Sequence, residues 1–292
     1  MYLSFYGLKV KPFQLKPDAG FFFNSKGHKR AIAYLEYGLS QEDGFIIITG
    51  EVGAGKTTLI RHLFQKLDQQ RFIVAQLTNT NLDSDDMLRM VAASFGLSAT
   101  NASKANILLE LEQHLRKLDK EGKKILLLVD EAQNLTPRAL EELRMLSNFQ
   151  TDDKLLLQTF LLGQPEFRKT LLGNNMQQLR QRVIATYHLG PMDNAETRAY
   201  IEHRLVIAGW QGSPLLQDDS FDVIYHFTGG IPRKINTLCD RLLIMGCLEE
   251  LRTITSREVN EVIADIQQEF DLPASQNTET NDENFEINNF EK

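Results

Sequence analysis

Residues 45–58 read FIIITGEVGAGKTT, a short apolar run followed at once by G-x-x-x-x-G-K-T and then by the helical pattern LIRHLFQKL. No other stretch restricts the fold so tightly. Gly50, Gly53 and Gly55 allow the backbone to curl until successive N–H groups point inward, where they can meet phosphate oxygens. The positive end of the helix that follows adds to the same anion site. Gly50, Glu51, Val52, Gly53, Ala54, Gly55, Lys56, Thr57 and Thr58 therefore form a candidate phosphate cradle. Lys56 is expected to reach the β- and γ-phosphates of ATP, and the Thr57 hydroxyl to hold Mg²⁺.

A strand that feeds directly into such a loop and helix implies an α/β sheet, and the rest of the chain agrees. From about Lys26 to Pro191, β-rich runs alternate with helical patterns: FIIIT, RFIVAQL, KKILLLV, LLLQTFLL and ATYHL. This predicts a doubly wound, five-stranded parallel sheet with helices on both faces over residues 26–191. After Pro191 only helical patterns remain, ETRAYIEHRLVIAG, DSFDVIYHFTG, PRKINTLCDRLLIMGCLEE and TSREVNEVIADIQQEF, so residues 192–270 are expected to form an all-helical lid. Its last helix carries Thr255 and Glu258 at capping-box spacing. Residues 1–25, rich in aromatics and broken by Pro12 and Pro17, read as an extended strap packed on a domain. The Asn- and Glu-rich tail, residues 271–292, is expected to be disordered.

Apolar runs fall well short of the roughly 20 residues of a membrane span, and the Lys- and Pro-containing start does not resemble a signal peptide. Cys239 and Cys247 lie in one predicted helix and read as core thiols of a reducing compartment. His62, His114, His188, His203 and His226 show no metal-ligand spacing with each other or the cysteines. A net charge of -7 disfavours a general affinity for nucleic acid.

The second chemical feature is ILLLVDEAQNL, residues 125–135, where an aliphatic run ends in two adjacent acids. Ligands of open α/β sheets bind beyond the carboxyl ends of the strands, so this strand delivers Asp130 and Glu131 to the phosphate loop. Asp130 is expected to assist Thr57 at the magnesium ion, and Glu131 to orient or deprotonate the attacking water. Two helical faces, Met87, Leu88, Val91, Ala92 and Phe95, and Ala139, Leu140, Leu143, Leu146 and Phe149 after Thr136–Pro137, are expected to be core.

GEVGAGKT and ILLLVDE, separated by a further strand, resemble the AAA+ branch of P-loop ATPases. More narrowly, YLSFYGLKVKPFQLKPD, FFFNSKGHKRAIAYLEYGL, DEAQNL and LLGQPEF are similar to ExeA/GspA-type secretion ATPases, closest to the subgroup associated with exosortase (XrtA/PEP-CTERM) and exopolysaccharide export loci. The resemblance covers residues 1 to about 270. It does not extend to the transmembrane helix and peptidoglycan-binding domain that follow the lid in longer members.

This resemblance implies Mg-dependent ATP hydrolysis that drives or gates assembly of a bacterial envelope export system. The implied protein is cytoplasmic, assembles as a ring or head-to-tail oligomer, and reaches the inner membrane through membrane-bound export or assembly proteins. It also assigns residues. Gln164 takes the place of a polar sensor, Arg182 (or Arg180) that of an arginine finger acting on a neighbouring subunit, and Arg233, beside Lys234, that of a second sensor in the lid. Asn79 is implied to restrain Glu131, and the segment with Phe23 and His28 to wall the adenine. Two alternatives carry fewer features: a DNA-associated AAA+ factor of the transposition-targeting or initiator kind, and a slow nucleotide-gated switch.

Overall fold

The structure, a computed structural model, describes residues 1–270 except 17, 43, 79, 81, 82, 100, 101 and 153, and the side chains of Asn174 and Phe270. Asn79 and the tail expected to be disordered, 271–292, lie outside the described residues.

The five apolar runs become β1 (Phe45–Gly50), β2 (Phe72–Leu77), β3 (Lys124–Val129), β4 (Gln158–Gly163) and β5 (Val183–Leu189). They pair in parallel in the order β2-β3-β4-β1-β5. Central β1 and β4 are buried along their whole length, which is why their sequences show no alternation, whereas the edge strands β2 and β5 alternate in exposure.

Helix α1 (Tyr2–Tyr6) lies apart from the sheet, against the lid. Helices α2 (Lys26–Gln41) and α3 (Lys56–Lys66) cover one face of the sheet, packing on Ile46, Ile48, Phe160 and Leu162. On the other face lie α4 (Ser84–Ser94), α5 (Lys104–Lys120), α6 (Pro137–Leu146), α7 (Pro165–Leu172) and α8 (Gln177–Arg180), against Phe45, Ile47, Leu127 and Leu161. Helix α6 starts as its sequence predicts: Thr136 accepts from the Ala139 N–H at 3.1 Å, and Pro137 occupies the first position. Its apolar face is buried, as is that of α4, with Phe95 and Phe149 half-buried at the margin.

The lid contains α9 (Asn194–Ile207), α10 (Asp218–Thr228), α11 (Pro232–Leu248) and α12 (Ser256–Phe270). It is not wholly helical: β6 (Leu215–Leu216) and β7 (Thr253–Ile254) pair in parallel, two residues each and too short to leave a periodic pattern. At α12 the Glu258 carboxylate accepts from the Thr255 N–H at 2.7 Å, but the Thr255 hydroxyl accepts from Arg257 N–H at 3.2 Å, so only half of the expected box forms. A complete box, Asp193 with Glu196, opens α9 instead.

The amino-terminal segment also differs from an extended strap. Residues 2–6 are helical, ended by Gly7 at φ 71°, and a 3₁₀ turn at Ala19–Phe21 is capped by Asp18. Tyr2, Tyr6, Leu8 and Phe13 are buried in the lid's own core. The Tyr2 hydroxyl donates to Asp240 Oδ1 at 2.7 Å, and Arg252 donates to the Phe5 carbonyl at 2.7 Å while lying 4.0 Å over the Phe5 ring. A five-residue helix has no stability of its own, so its helicity comes from these lid contacts and not from local pattern.

Candidate active site

The loop between β1 and α3 turns as the glycines allow. Gly53 and Gly55 have φ of 81° and 97°, and a Cβ on Gly53 would stand 2.3 Å from Cβ of Arg233. The Arg233 N–H donates to the Gly53 carbonyl at 3.2 Å, so the lid rests directly on the phosphate loop. Lys56 is buried, and its ammonium donates to the carbonyls of Gly50 at 2.7 Å and Glu51 at 3.0 Å. Burial lowers its pKa, against the opposing pull of Glu131, Asp130, Glu51 and Glu166. The Thr57 hydroxyl donates to Asp130 Oδ2 at 2.9 Å. A hydroxyl and a carboxylate in contact supply the oxygen-only donor set that Mg²⁺ prefers, so these two residues fit the implied ion.

The register Val129 opposite Leu161 brings the ends of β3 and β4 side by side. Glu131 follows at φ 52°, a conformation uncommon for a residue with a side chain, and is held by the Thr80 hydroxyl donating to its carbonyl at 3.0 Å. Its Oε2 accepts from Gln164 Nε2 at 3.2 Å and from Gln133 Nε2 at 2.5 Å. Burial raises the Glu131 pKa, but the bonds from Gln133 and Gln164 and the charge of Lys56 outweigh it, leaving the acid below its ordinary range. It is therefore ionised at neutral pH, as a base requires.

Sequence reasoning missed Gln133, which lies in DEAQNL two residues after Glu131. It also missed Arg204, a buried cation on α9 that donates to the Pro12 carbonyl at 2.5 Å and the Tyr200 hydroxyl at 2.8 Å, and stacks 4.8 Å from the Phe21 ring. Arg204, Tyr200 and Asn236 line the same cleft as Phe23, His28, Lys56, Thr57, Glu131 and Arg233. Lys234 is exposed and not part of that lining. His28 takes a 2.7 Å hydrogen bond with Ser25, and burial pushes its pKa down to about 4, so it is a neutral wall at physiological pH.

Two expected residues lie elsewhere. Arg182 precedes β5, at the end of the sheet opposite the cleft, and donates to the Ser147 carbonyl and hydroxyl, each at 2.8 Å, and to Asn148 Oδ1 at 2.5 Å. Arg180 donates to the carbonyls of Leu171 and Gly173. Neither reaches the cleft of its own chain.

Comparison with known proteins agrees with this geometry. Residues 39–171 match the family described as AAA domain. Over 245 residues the chain is 40% identical to General secretion pathway protein A of Aeromonas hydrophila, a match covering 84% of this chain and 44% of that protein. The chain thus spans less than half the length of this relative. Among solved structures, the ORC2 protein of Aeropyrum pernix superposes with a TM-score of 0.66 at 17% identity, over 88% of this chain and 72% of that one. Cdc6p of Pyrobaculum aerophilum gives 0.66 at 17%, over 87% and 70%. The RuvB Holliday junction branch migration motor of Thermotoga maritima gives 0.57 at 19%, over 84% and 73%. At such identities the likeness is one of fold. Residues 39–171 thus match an AAA domain, the phosphate loop and the paired acids lie within that region, and the chain has an AAA+ fold.

Proposed function

We propose that the chain is a Mg-dependent ATPase that assembles head to tail with copies of itself, and that its turnover drives or gates assembly of a bacterial envelope export system of the exopolysaccharide kind. The observation that carries the hydrolytic part is that Lys56, Thr57, Glu131 and lid residue Arg233 line one cleft, with Asp130 bonded to Thr57 and Gln164 to Glu131 behind them. The export part rests on the identity to a secretion pathway protein and on the sequence resemblance to the exosortase-associated subgroup.

In this reading the loop N–H groups and Lys56 bind the phosphates, and Glu131 takes a proton from the attacking water while Gln164 fixes that water or the γ-phosphate. Thr57 and Asp130 would hold the magnesium ion, which supplies charge neutralisation at the phosphates. Arg233 senses the phosphates from the lid, and its contact with Gly53 carries the loop's state to α11. Arg182, or Arg180, leaves its own-chain partners to reach the neighbour's nucleotide.

Mixing tests the assembly. Arg182→Ala is expected to lower turnover by roughly a thousandfold, and Glu131→Gln by roughly a hundredfold to ten-thousandfold. An equimolar mixture should regain part of the parent rate, since one interface then joins an intact base to an intact arginine. No recovery, repeated with Arg180→Ala in place of Arg182→Ala, would rule out a finger in trans from either residue. In the host, a strain lacking the chain is expected to lose extracellular polysaccharide and to regain it only with a copy able to bind ATP. Unchanged export in that strain would remove the envelope assignment.

A further inference from the structure

Gln133 sits on the short 3₁₀ turn Ala132–Asn134, just past the two acids. Its Oε1 accepts from the backbone N–H of Gln164 at 3.0 Å, and its Nε2 donates to Glu131 Oε2 at 2.5 Å. A backbone N–H can only donate, so the amide oxygen has to face Gln164 and the amide nitrogen has to face Glu131. The same Glu131 oxygen accepts from the Gln164 side chain at 3.2 Å. These bonds close a ring through Glu131, Gln133 and the backbone and side chain of Gln164. A primary amide of this length can accept from one partner and donate to the other. A Glu at this position could still accept from Gln164 but would have no proton to donate to Glu131.

The ring has a mechanical consequence. Glu131 leaves β3 in a left-handed conformation, pinned by Thr80, and its carboxylate is aimed by two amides that both belong to, or are anchored on, the start of α7. The direction of the acid is thus set by the end of β4, where Gln164 stands at the N-cap of α7.

We propose that Gln133 is a positioning residue for ATP hydrolysis, acting through Glu131 and tying its carboxylate to the Gln164 sensor. This rests on Glu131 being the base. Whatever Gln164 meets in the cleft then moves the acid as well, because the Gln133 amide cannot keep both bonds unless the two shift together.

The test uses the full chain with Gln133→Glu and Gln133→Ala, each alone and combined with Glu131→Gln, and reads kcat, the KM for ATP and ADP affinity. Misaiming a reacting group is expected to lower kcat by roughly tenfold to a hundredfold, with KM and ADP affinity changed less than about twofold. In the Glu131→Gln background, measured under single-turnover conditions, the same changes are expected to add less than about a further twofold loss. Gln133→Glu keeps the bond from the Gln164 backbone, so it separates aiming of the acid from support of the turn. A parent-like kcat in both variants overturns the proposal. So do losses that multiply with that of Glu131→Gln, or that appear equally in KM. If Glu131→Gln alone hydrolyses ATP like the parent, the base assignment fails first, a result distinguishable from silent Gln133 variants beside an impaired Glu131→Gln.

Discussion

Lys56→Ala is expected to weaken ATP binding by at least about a hundredfold and to remove turnover at physiological ATP concentrations. A charge-assisted hydrogen bond contributes about 1.5–3 kcal/mol, and the triphosphate brings several charges to a loop whose other donors are backbone N–H groups. Losing about 2.7 kcal/mol corresponds to the hundredfold change. The effect is specific to the ligand, because in the free protein the ammonium bridges the Gly50 and Glu51 carbonyls, and burial already works against its charge. Alanine is also at least as good a helix former as lysine at the first position of α3. The melting temperature of the variant should therefore stay within a few degrees of the parent, while calorimetric titration with Mg-ATP shows no saturable heat. Affinity within a few-fold of the parent would mean that this loop does not hold the phosphates.

The parts of this site that a reader can find in the sequence are those whose chemistry is local. Gly50 to Thr57 and the run ILLLVDE each contain, within about ten residues, both the structural cause and the chemical group, and both fall in the structure where their spacing places them. The five strands and four lid helices were legible for the same reason, since burial on one or both faces writes itself into hydrophobic period. What was not legible depends on partners far along the chain. Helix α1 exists because of Asp240, Leu251 and Arg252. Arg204 looks like one of several charges on a helix until the Pro12 carbonyl, 192 residues earlier, is brought to it. Gln133 gains a role only through Gln164, 31 residues later. For Arg182 the residue type and position were legible, but within a single chain its hydrogen bonds among the described residues go to Ser147 and Asn148.

Glu131→Gln separates binding from chemistry at the same cleft, and there the expected result is retention of ATP with turnover reduced by roughly a hundredfold to ten-thousandfold. Glutamine has the shape of glutamate, and its amide oxygen can still accept from Gln133 and Gln164, so the ring of hydrogen bonds and the positive-φ backbone are preserved. What disappears is the ionised carboxylate, the group held below its ordinary pKa by those amides and by Lys56. Removing that charge also leaves Lys56 with one carboxylate fewer competing for it, so affinity for the anionic substrate should hold or rise slightly. Gel filtration after incubation with Mg-ATP, followed by analysis of the bound nucleotide, should recover ATP from the variant and ADP from the parent. Recovery of ADP from both, with equal phosphate release, would show that the water is activated elsewhere. Asp130 is the less suitable substitute, because its Oδ2 is engaged by the Thr57 hydroxyl and its Oδ1 by the Glu131 N–H, which directs both of its oxygens to the loop and the chain instead of toward a water beyond the γ-phosphate.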